Sequence, residues 1–180
     1  MRNTPFCEPD LEQKLQSIGV SASGYLKTAE IAFSSEVRKI CEENHCRNYA
    51  KTWACPPGAG SLEDCRQQIL SYPWALVFAS VYDLQDSYDT EGMQQGHRAF
   101  KEVCDRLYDL LEQPVLLLSN EGCIRCRTCT YPQAPCRFPE KLFPSLEGYG
   151  ILVNQLARLA GIPYNFGINK AAFFGMVCFR

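Results

Sequence analysis

Histidine is scarce in this sequence, and the common nucleotide and serine-nucleophile motifs are absent. Only His45 and His97 occur among 180 residues, so a Cys–His nucleophilic pair has few ways to form. His45 beside Cys46 is the one local candidate, but adjacent side chains diverge on helical or extended backbone. No glycine-rich phosphate loop, serine nucleophile elbow or dinucleotide fingerprint is present. These absences argue against thiol-nucleophile, serine-nucleophile and nucleotide-phosphate chemistry.

Positive charge is not in excess, and long apolar runs are missing. The chain has 18 Lys and Arg against 20 Asp and Glu, with a pI near 5.7, so it has no surplus of cations to follow phosphates or anionic lipid. No apolar run approaches the roughly 18 residues of a membrane span. Residues 1–10 lack the apolar stretch of a signal peptide. The sequence predicts a cytoplasmic protein without nucleic acid or membrane partners.

Cysteine, by contrast, is abundant. Eleven cysteines in a reducing cytosol are expected to be metal ligands or catalytic groups rather than disulfides. The odd number agrees, because metal sites can leave some thiols buried in the core. With 46% hydrophobic and 12% aromatic residues, the chain can bury a core without covalent links. We therefore expect one cysteine-rich metal-binding domain over residues 1–180.

The periodicity of apolar residues predicts alternating helices and strands. Helices are expected over 10–18, 34–42, 61–71, 92–111 and 145–160, and strands over 25–33, 74–82, 114–119 and 171–179. Ser61 and Asp64 have capping-box spacing, and the apolar stretch 74–82 is typical of a strand in the middle of a sheet. The predicted fold class is α/β or α+β, with a single sheet of about four strands flanked by helices and two long cysteine-bearing loops, 43–60 and 120–143.

The two longer predicted helices carry apolar faces that we expect to be buried. They consist of Met93, Phe100, Val103, Cys104, Leu107 and Leu110 in the first, and Leu146, Tyr149, Leu152, Val153, Leu156 and Leu159 in the second.

The strongest chemical signal is the run Cys123, Cys126, Cys129 and Cys136, spaced C-x2-C-x2-C-x6-C, with Pro139 three residues later. Such a loop can hold three corners of a cubane while a fourth cysteine arrives from farther along, as in the C-x2-C-x2-C-x3-C-P run of bacterial ferredoxins. Structural zinc prefers two separated pairs of ligands. The spacing favours a [4Fe–4S] cluster, with zinc as the alternative. Either metal would organise a loop of this length.

A second group consists of Cys41, Cys46 and Cys55, with Cys65 as a candidate fourth ligand. The spacing C-x4-C-x8-C is weak, and a zinc site or plain buried thiols are equally compatible with it. Cys55 followed by Pro56 repeats the Cys-Pro ending of ferredoxin motifs. If Cys65 is a ligand, the chain holds two four-cysteine sites. If it is not, one metal position stays open for substrate.

The other cysteines and a local group of arginines have plainer explanations. Cys7, Cys104 and Cys178 are expected to be core or surface thiols. Arg125, Arg127 and Arg137 lie among the clustered cysteines, where they either offset the charge of thiolate ligands or have no role.

Joint motifs in both cysteine groups and beyond them resemble the DUF2284 family of predicted metal-binding proteins. They comprise Val37-Arg38 through Cys41, Asn44-His45-Cys46, Tyr49, Trp53-Ala54-Cys55-Pro56-Pro57, Gly122-Cys123 through Cys126, Cys129-Thr130-Tyr131, Pro135 through Pro139, Pro144 through Glu147, Tyr149-Gly150-Ile151 and Phe173-Phe174-Gly175. The resemblance implies that Cys41, Cys46 and Cys55 form a functional group. The family often has glycine where this chain has Arg47 and Ala50, which argues against a tight turn at those two points.

Three functions follow as hypotheses. The first is electron transfer by one or two [4Fe–4S] clusters, alone or as a small oxidoreductase component whose partner is a redox protein or a small molecule. The second is a zinc-stabilised binding or structural module. The third is an enzyme with an open metal position at the second cysteine group.

Overall fold

The computed structural model describes residues 10–112 and 114–180. Its helices are α1 (Leu11–Ser17), α2 (Ser35–Glu43), α3 (Leu62–Leu70), α4 (Thr90–Leu110) and α5 (Val153–Ala160). Its strands are β1 (Ala22–Lys27), β2 (Trp74–Asp83), β3 (Leu116–Ser119) and β4 (Lys170–Phe179), and short 3-10 helices cover Thr28–Glu30, Pro139–Lys141 and Glu147–Tyr149. Cys7 lies outside the described residues. No helix of the described part combines the length and the apolar character needed to cross a bilayer.

The strands form one antiparallel sheet in the order β1-β2-β4-β3. The two ten-residue strands β2 and β4 lie in the middle and pair along their whole length, with Phe78 opposite Gly175. The fold is therefore α+β, and the single four-stranded sheet predicted from sequence is confirmed. The apolar stretch that begins at Trp74 is a central strand, as its composition indicated.

Both faces of the sheet are covered by helices, because successive side chains of each central strand point to opposite faces. Helices α3 and α5 cover one face, which receives Phe174, Met176 and Cys178 from β4. Helices α1 and α4 cover the other, which receives Phe173, Val177 and Phe179. The resulting core has three layers, and the two cysteine-bearing loops lie outside it.

Local capping signals account for most element ends. At the start of α3, Ser61 Oγ accepts a hydrogen bond from the Asp64 backbone N–H at 3.1 Å, and Asp64 Oδ2 accepts one from the Ser61 N–H at 3.3 Å. This is the capping box expected from sequence. Strand β1 ends at Lys27 and does not reach residue 33, because Glu30 accepts a hydrogen bond from the Lys27 N–H at 2.9 Å and turns the chain into a 3-10 helix.

The prediction of one helix over 145–160 is wrong. Gly150 has a φ of 74° and closes a short 3-10 helix through its N–H, which donates to the Glu147 carbonyl at 2.9 Å. Helix α5 then starts afresh at Val153. Because the helical phase is lost at Gly150, Leu152 and Leu159 are 37% and 46% exposed instead of buried. Met93 and Leu110, near the two ends of α4, are also exposed, contrary to the expected buried face.

The loop after α2 makes tight turns where the sequence argued against them. Arg47 and Ala50 adopt left-handed backbone with φ of 62° and 54°, as does Asn44 with 58°. The turns are held by the Asn44 side chain, which accepts a hydrogen bond from the Tyr49 N–H at 3.0 Å, and by the Ala50 N–H, which donates to the Pro56 carbonyl at 2.8 Å. These contacts offset the steric cost that a Cβ atom brings in this region.

The positive φ angles predict that glycine stabilises this loop. Replacing Arg47 or Ala50 by glycine should each raise the free energy of unfolding by about 1 kcal/mol, because a left-handed L-residue costs roughly 1–2 kcal/mol. Urea denaturation followed by circular dichroism measures the change. Lys51→Gly is the matched control, since Lys51 is not among the positive-φ residues, and it should be neutral or destabilising. Equal effects at all three positions would contradict the explanation.

The contact between Gly175 and Phe78 gives a second prediction. A Cβ atom at Gly175 would lie 2.3 Å from Phe78 Cζ, so Gly175→Ala should lower the free energy of unfolding by about 2 kcal/mol through overpacking. The smaller side chain of Phe78→Leu should recover part of that loss in the double variant. Strict additivity of the two single changes in urea denaturation would rule out this contact as the cause.

Candidate metal centres

Both cysteine-bearing loops meet at one corner of the sheet, at the end of β3. The Ser119 N–H donates to the Pro144 carbonyl at 3.0 Å, and the Leu146 N–H donates to the Ser119 carbonyl at 3.2 Å. The Ser145 N–H then donates to the Ala54 carbonyl at 2.9 Å. The segment 144–146 is thus held between the end of β3, where the second loop begins, and residue 54 of the first loop. This places residue 55 next to residue 145.

Cys123, Cys126, Cys129 and Cys136 all line a single small cavity, here called the four-cysteine site. The structure therefore brings together the whole set that the sequence singled out. Each of the four is partly buried. Trp53 from the other loop closes one side, and its indole N–H donates to the Ala134 carbonyl at 3.1 Å. The two loops thus build this site jointly.

Backbone N–H groups point at two of these sulfur atoms. The Phe138 N–H donates to Cys136 Sγ at 3.4 Å. Burial raises the pKa of the Cys123 thiol, while the Arg125 backbone N–H and the charges of Lys101 and Arg125 lower it. In both cases the donor lies two residues after the cysteine. Such donors stabilise a thiolate and, in iron–sulfur proteins, tune the metal centre.

Three cationic side chains line the four-cysteine site, and two of them are already paired. Arg125 forms an ion pair with Asp105, and Lys141 pairs with Asp109 at 2.7 Å. Arg137 Nη1 donates to the Thr128 carbonyl at 2.9 Å, and no carboxylate of the described residues pairs with it. The arginines near these cysteines thus differ in role: Arg125 joins the loop to α4, and Arg137 retains its positive charge at the site.

A second, much larger cavity of about 850 Å³ is lined by Cys41, Cys46 and Cys55. These three cysteines are called the three-cysteine site. Its walls are α2 with the loop that follows, one face of β4, the segment 151–154, the loop 164–167 and residues 120–122. Cys55 is buried, Cys41 is partly buried and Cys46 is exposed, so the thiols run from the floor of the cavity to its rim.

The orientation of Cys41 is set one helical turn earlier by Arg38. The Arg38 guanidinium donates to the Gly148 carbonyl at 2.5 Å and to the Gly60 carbonyl at 2.8 Å, which fixes α2 against the 3-10 helix Glu147–Tyr149 and the end of the first loop. Burial, together with the negative charges of Glu147, Cys55 and Cys46, raises the pKa of the Cys41 thiol to about 11. This coupling reflects how close the three thiols and the carboxylate lie. A bound metal would reverse the effect and favour thiolate.

Cys55 is held at the floor by Ser145. Its Sγ lies 3.8 Å from Ser145 Oγ, and the same hydroxyl accepts a hydrogen bond from the Gly148 N–H at 3.0 Å. Burial raises the pKa of the Cys55 thiol, and the hydroxyls of Thr52 and Ser145 partly oppose that shift. The position of Cys55 therefore depends on the corner described above.

Two charged residues at these sites escaped sequence reasoning. Burial raises the pKa of Glu147 to about 7, with Glu121 adding to the shift and Lys101 opposing it. Lys101 Nζ donates to Ser119 Oγ at 2.8 Å and to the Asn120 carbonyl at 2.9 Å, and burial lowers its pKa. Glu147 follows Pro144-Ser145-Leu146 in the motif resemblance, which was the available signal. Nothing in the sequence marked Lys101.

Cys65 does not line the three-cysteine site. It is buried in the core on α3, where its Sγ lies 3.3 Å from the Ala59 carbonyl oxygen and 3.9 Å from Arg38 Nη1. Its service as a fourth ligand stays a prediction. Cys104 and Cys178 are also fully buried, on opposite faces of the sheet, as expected of core thiols.

The two sites share a wall. Gly122 lines the large cavity and Cys123, the next residue, lines the four-cysteine site. Likewise Trp53 borders the four-cysteine site, and Cys55 borders the large cavity. Consecutive Cα atoms are about 3.8 Å apart, so only a backbone's thickness separates the cavities at Gly122.

The donor set of the four-cysteine site is four thiols. Within residues 10–112 and 114–180, no group of three or more His, Cys, Asp and Glu side chains is gathered as a site for a metal ion. Four cysteine thiolates can bind either a [4Fe–4S] cluster or a single zinc ion. Thr52 lines the four-cysteine site, and its hydroxyl lowers the pKa of the Cys55 thiol at the neighbouring site. Thr52 therefore acts at both sites.

Comparison with known proteins bears on these sites. No curated protein and no solved structure matches the chain. A family model described as "Predicted metal-binding protein (DUF2284)" matches residues 24–179. All eight candidate ligand cysteines fall within the matched span. The chain therefore belongs to DUF2284, a family of cysteine-rich predicted metal-binding proteins.

Proposed function

We propose that the protein is a small redox protein with two metal centres. The four-cysteine site would hold a [4Fe–4S] cluster, and the three-cysteine site would hold a second cluster or metal ion with one coordination position free of protein ligands. When bound, an iron–sulfur cluster supplies reversible one-electron transfer. The residues of the chain hold the metals, set their electrostatic surroundings and shape the cavity that faces the open position.

The shared wall is the observation that carries this proposal. Gly122 and Cys123 are consecutive yet line different cavities, so two centres held there would lie close enough for direct electron transfer. The four-cysteine site is small and walled by Trp53 and Phe138, whereas the other opens into a volume of about 850 Å³. One closed site beside one accessible site fits an electron relay that ends at a substrate.

Iron–sulfur binding is favoured over zinc by two features of the four-cysteine site. One is the run of three cysteines at spacings of three, Cys123, Cys126 and Cys129. The other is the pair of backbone N–H donors to the sulfur atoms of Cys123 and Cys136. Structural zinc sites prefer two separated pairs of ligands, and this run does not have that spacing.

The surface around the four-cysteine site suits an acidic redox partner. Arg127 and Arg137 are exposed there, together with the apolar side chains of Ile124 and Phe138. Arginine and aromatic residues are enriched in protein interfaces, and complementary charge speeds association. This patch is basic although the whole chain carries a net charge of -2. We propose that an electron-carrying protein with an acidic surface docks at this patch.

The metal content tests the proposal directly. Protein purified without oxygen should contain about eight iron and eight sulfide per chain if both centres are cubanes, or about four if only the four-cysteine site is one. Cys126→Ser should remove about four of each. Cys104→Ser, which alters a core thiol on α4, should leave the content unchanged. Zinc in place of iron, with no labile sulfide after reconstitution, would refute the redox proposal and favour a zinc-stabilised module.

The same variant reports on the loop. Metal binding at the four-cysteine site also contributes to the folding free energy of residues 120–143. Cys126→Ser should therefore make limited proteolysis in that loop at least about tenfold faster. Mass spectrometry of the fragments locates the cleavage. Cleavage at the wild-type rate would mean that the loop is ordered without its metal.

Cys65 decides whether the second site is open. Its position outside the cavity lining predicts that Cys65→Ser keeps the metal of the three-cysteine site, whereas Cys55→Ser loses it. Iron content and the electron paramagnetic resonance spectrum of the reduced protein measure both outcomes. Equal loss of iron in the two variants would instead make Cys65 the fourth ligand and the site closed.

A further inference from the structure

The large cavity has an apolar half and an acidic half. Residues of α2, β4 and the loop before β4 form its apolar walls, with Tyr164 and Phe174 stacked at a ring-centroid distance of 5.4 Å. The rim includes the exposed side chains of Ile40 and Tyr164. A volume of about 850 Å³ lies within the range of about 300–1,000 Å³ typical of sites for small organic ligands.

The charged residues of the lining are not balanced. Glu121 and Glu147 both line the cavity, and neither forms an ion pair with any cation of the described residues. The two basic residues of the lining have acidic partners of their own: Lys170 pairs with Asp83, and His45 contacts Glu43 at 3.1 Å. Lys101 acts on Glu147 electrostatically but does not line the cavity. Thiolate ligands at Cys41, Cys46 and Cys55 would add further negative charge.

An anionic ligand is disfavoured by this arrangement. The lining contains no arginine. At a pH above about 7, where Glu147 is ionised, a phosphate or carboxylate group near it would meet like charge. A cation would meet opposite charge at that end. Tyr164, which is 55% exposed and stacks on the buried Phe174, offers its other ring face to an apolar or aromatic body.

We infer that this cavity binds an organic cation, an amine or a quaternary ammonium compound with an apolar or aromatic body. The charged group faces Glu147 and Glu121, and the body packs against Tyr164 and Ile40. The role of this ligand as a substrate of the redox centre rests on the proposed function, because that role needs a metal at the three-cysteine site. Binding of the ligand in the cavity needs no metal.

Three soluble probes of similar size separate charge from shape: benzyltrimethylammonium, neutral N,N-dimethylbenzamide and anionic phenylacetate. Titration of the protein at a pH of about 8, where Glu147 is ionised, is followed by ligand-observed nuclear magnetic resonance; the protein is purified without oxygen and used without reductant. We expect benzyltrimethylammonium to bind with a Kd of about 0.1–1 mM, in keeping with the affinity per atom of small ligands. The neutral amide should bind about tenfold more weakly, and phenylacetate more weakly still.

Variants assign the affinity to particular residues. Glu147→Gln should weaken benzyltrimethylammonium about tenfold and leave the amide nearly unchanged, whereas Tyr164→Ala should weaken both. Glu12→Gln, which removes an exposed carboxylate on α1 at the opposite face of the sheet, is the matched control and should change neither. Thermal melting confirms that each variant is folded before titration.

The possible outcomes separate the cavity from the redox proposal. Binding of phenylacetate as tight as that of the cation, no saturable binding of the cation, or wild-type cation affinity in Glu147→Gln would each overturn the inference. Selective cation binding in a protein that holds no iron would uphold the inference while the redox proposal fails. Iron at both sites with no cation selectivity would uphold the redox proposal and overturn the inference.

Discussion

The hydrogen bonds that join Ser119, Ser145 and Ala54 determine how the functional part of this protein is built. They attach the segment after the loop 120–143 to the end of β3. Through Ala54 they also bind the loop that carries Cys46 and Cys55 to the same point. Neither loop has extensive regular structure of its own, so without this junction the cysteines of the two loops would have no fixed position relative to each other. Because backbone groups make the bonds, the junction does not depend on a particular side chain. The sheet acts here as an anchor at one corner, and the chemistry of both sites is assembled around that corner.

Much of the fold could be predicted because its signals are local. The apolar stretch from Trp74, the capping box at Ser61 and the apolar periodicity of α4 depend on neighbours within a few residues. The errors occur where a distant contact or a single backbone angle decides. Gly150 interrupts a pattern that reads as one helix, since only its φ of 74° shows that the helical phase is lost. Arg47 and Ala50 adopt turns that glycine would make more easily, because hydrogen bonds accepted by the Asn44 side chain and the Pro56 carbonyl hold them.

The candidate sites show the same division between local and distant information. Spacing alone identified the four-cysteine set, since all its members lie on one loop. The second set was weaker: spacing suggested Cys65, which in the structure faces the core, and did not suggest Glu147, which faces the thiols. Both results depend on how α2 and α3 are oriented by Arg38, and that guanidinium binds carbonyls of residues 60 and 148. Contacts over such sequence separations leave no periodic trace, so a cavity shared by three cysteines and a carboxylate becomes visible only in three dimensions.

The common wall at Gly122 also bears on how chains of this kind can vary in length. A residue inserted between Gly122 and Cys123 would move one cavity relative to the other. A side chain at Gly122 would displace the Asn48 side chain, whose Nδ2 lies 2.5 Å from the position of an added Cβ. The stretch from Cys129 to Cys136 faces no such restriction, because it borders a single cavity. Insertions and deletions in related chains should therefore accumulate between the third and fourth cysteines of the run and avoid the short segment that connects β3 to the first.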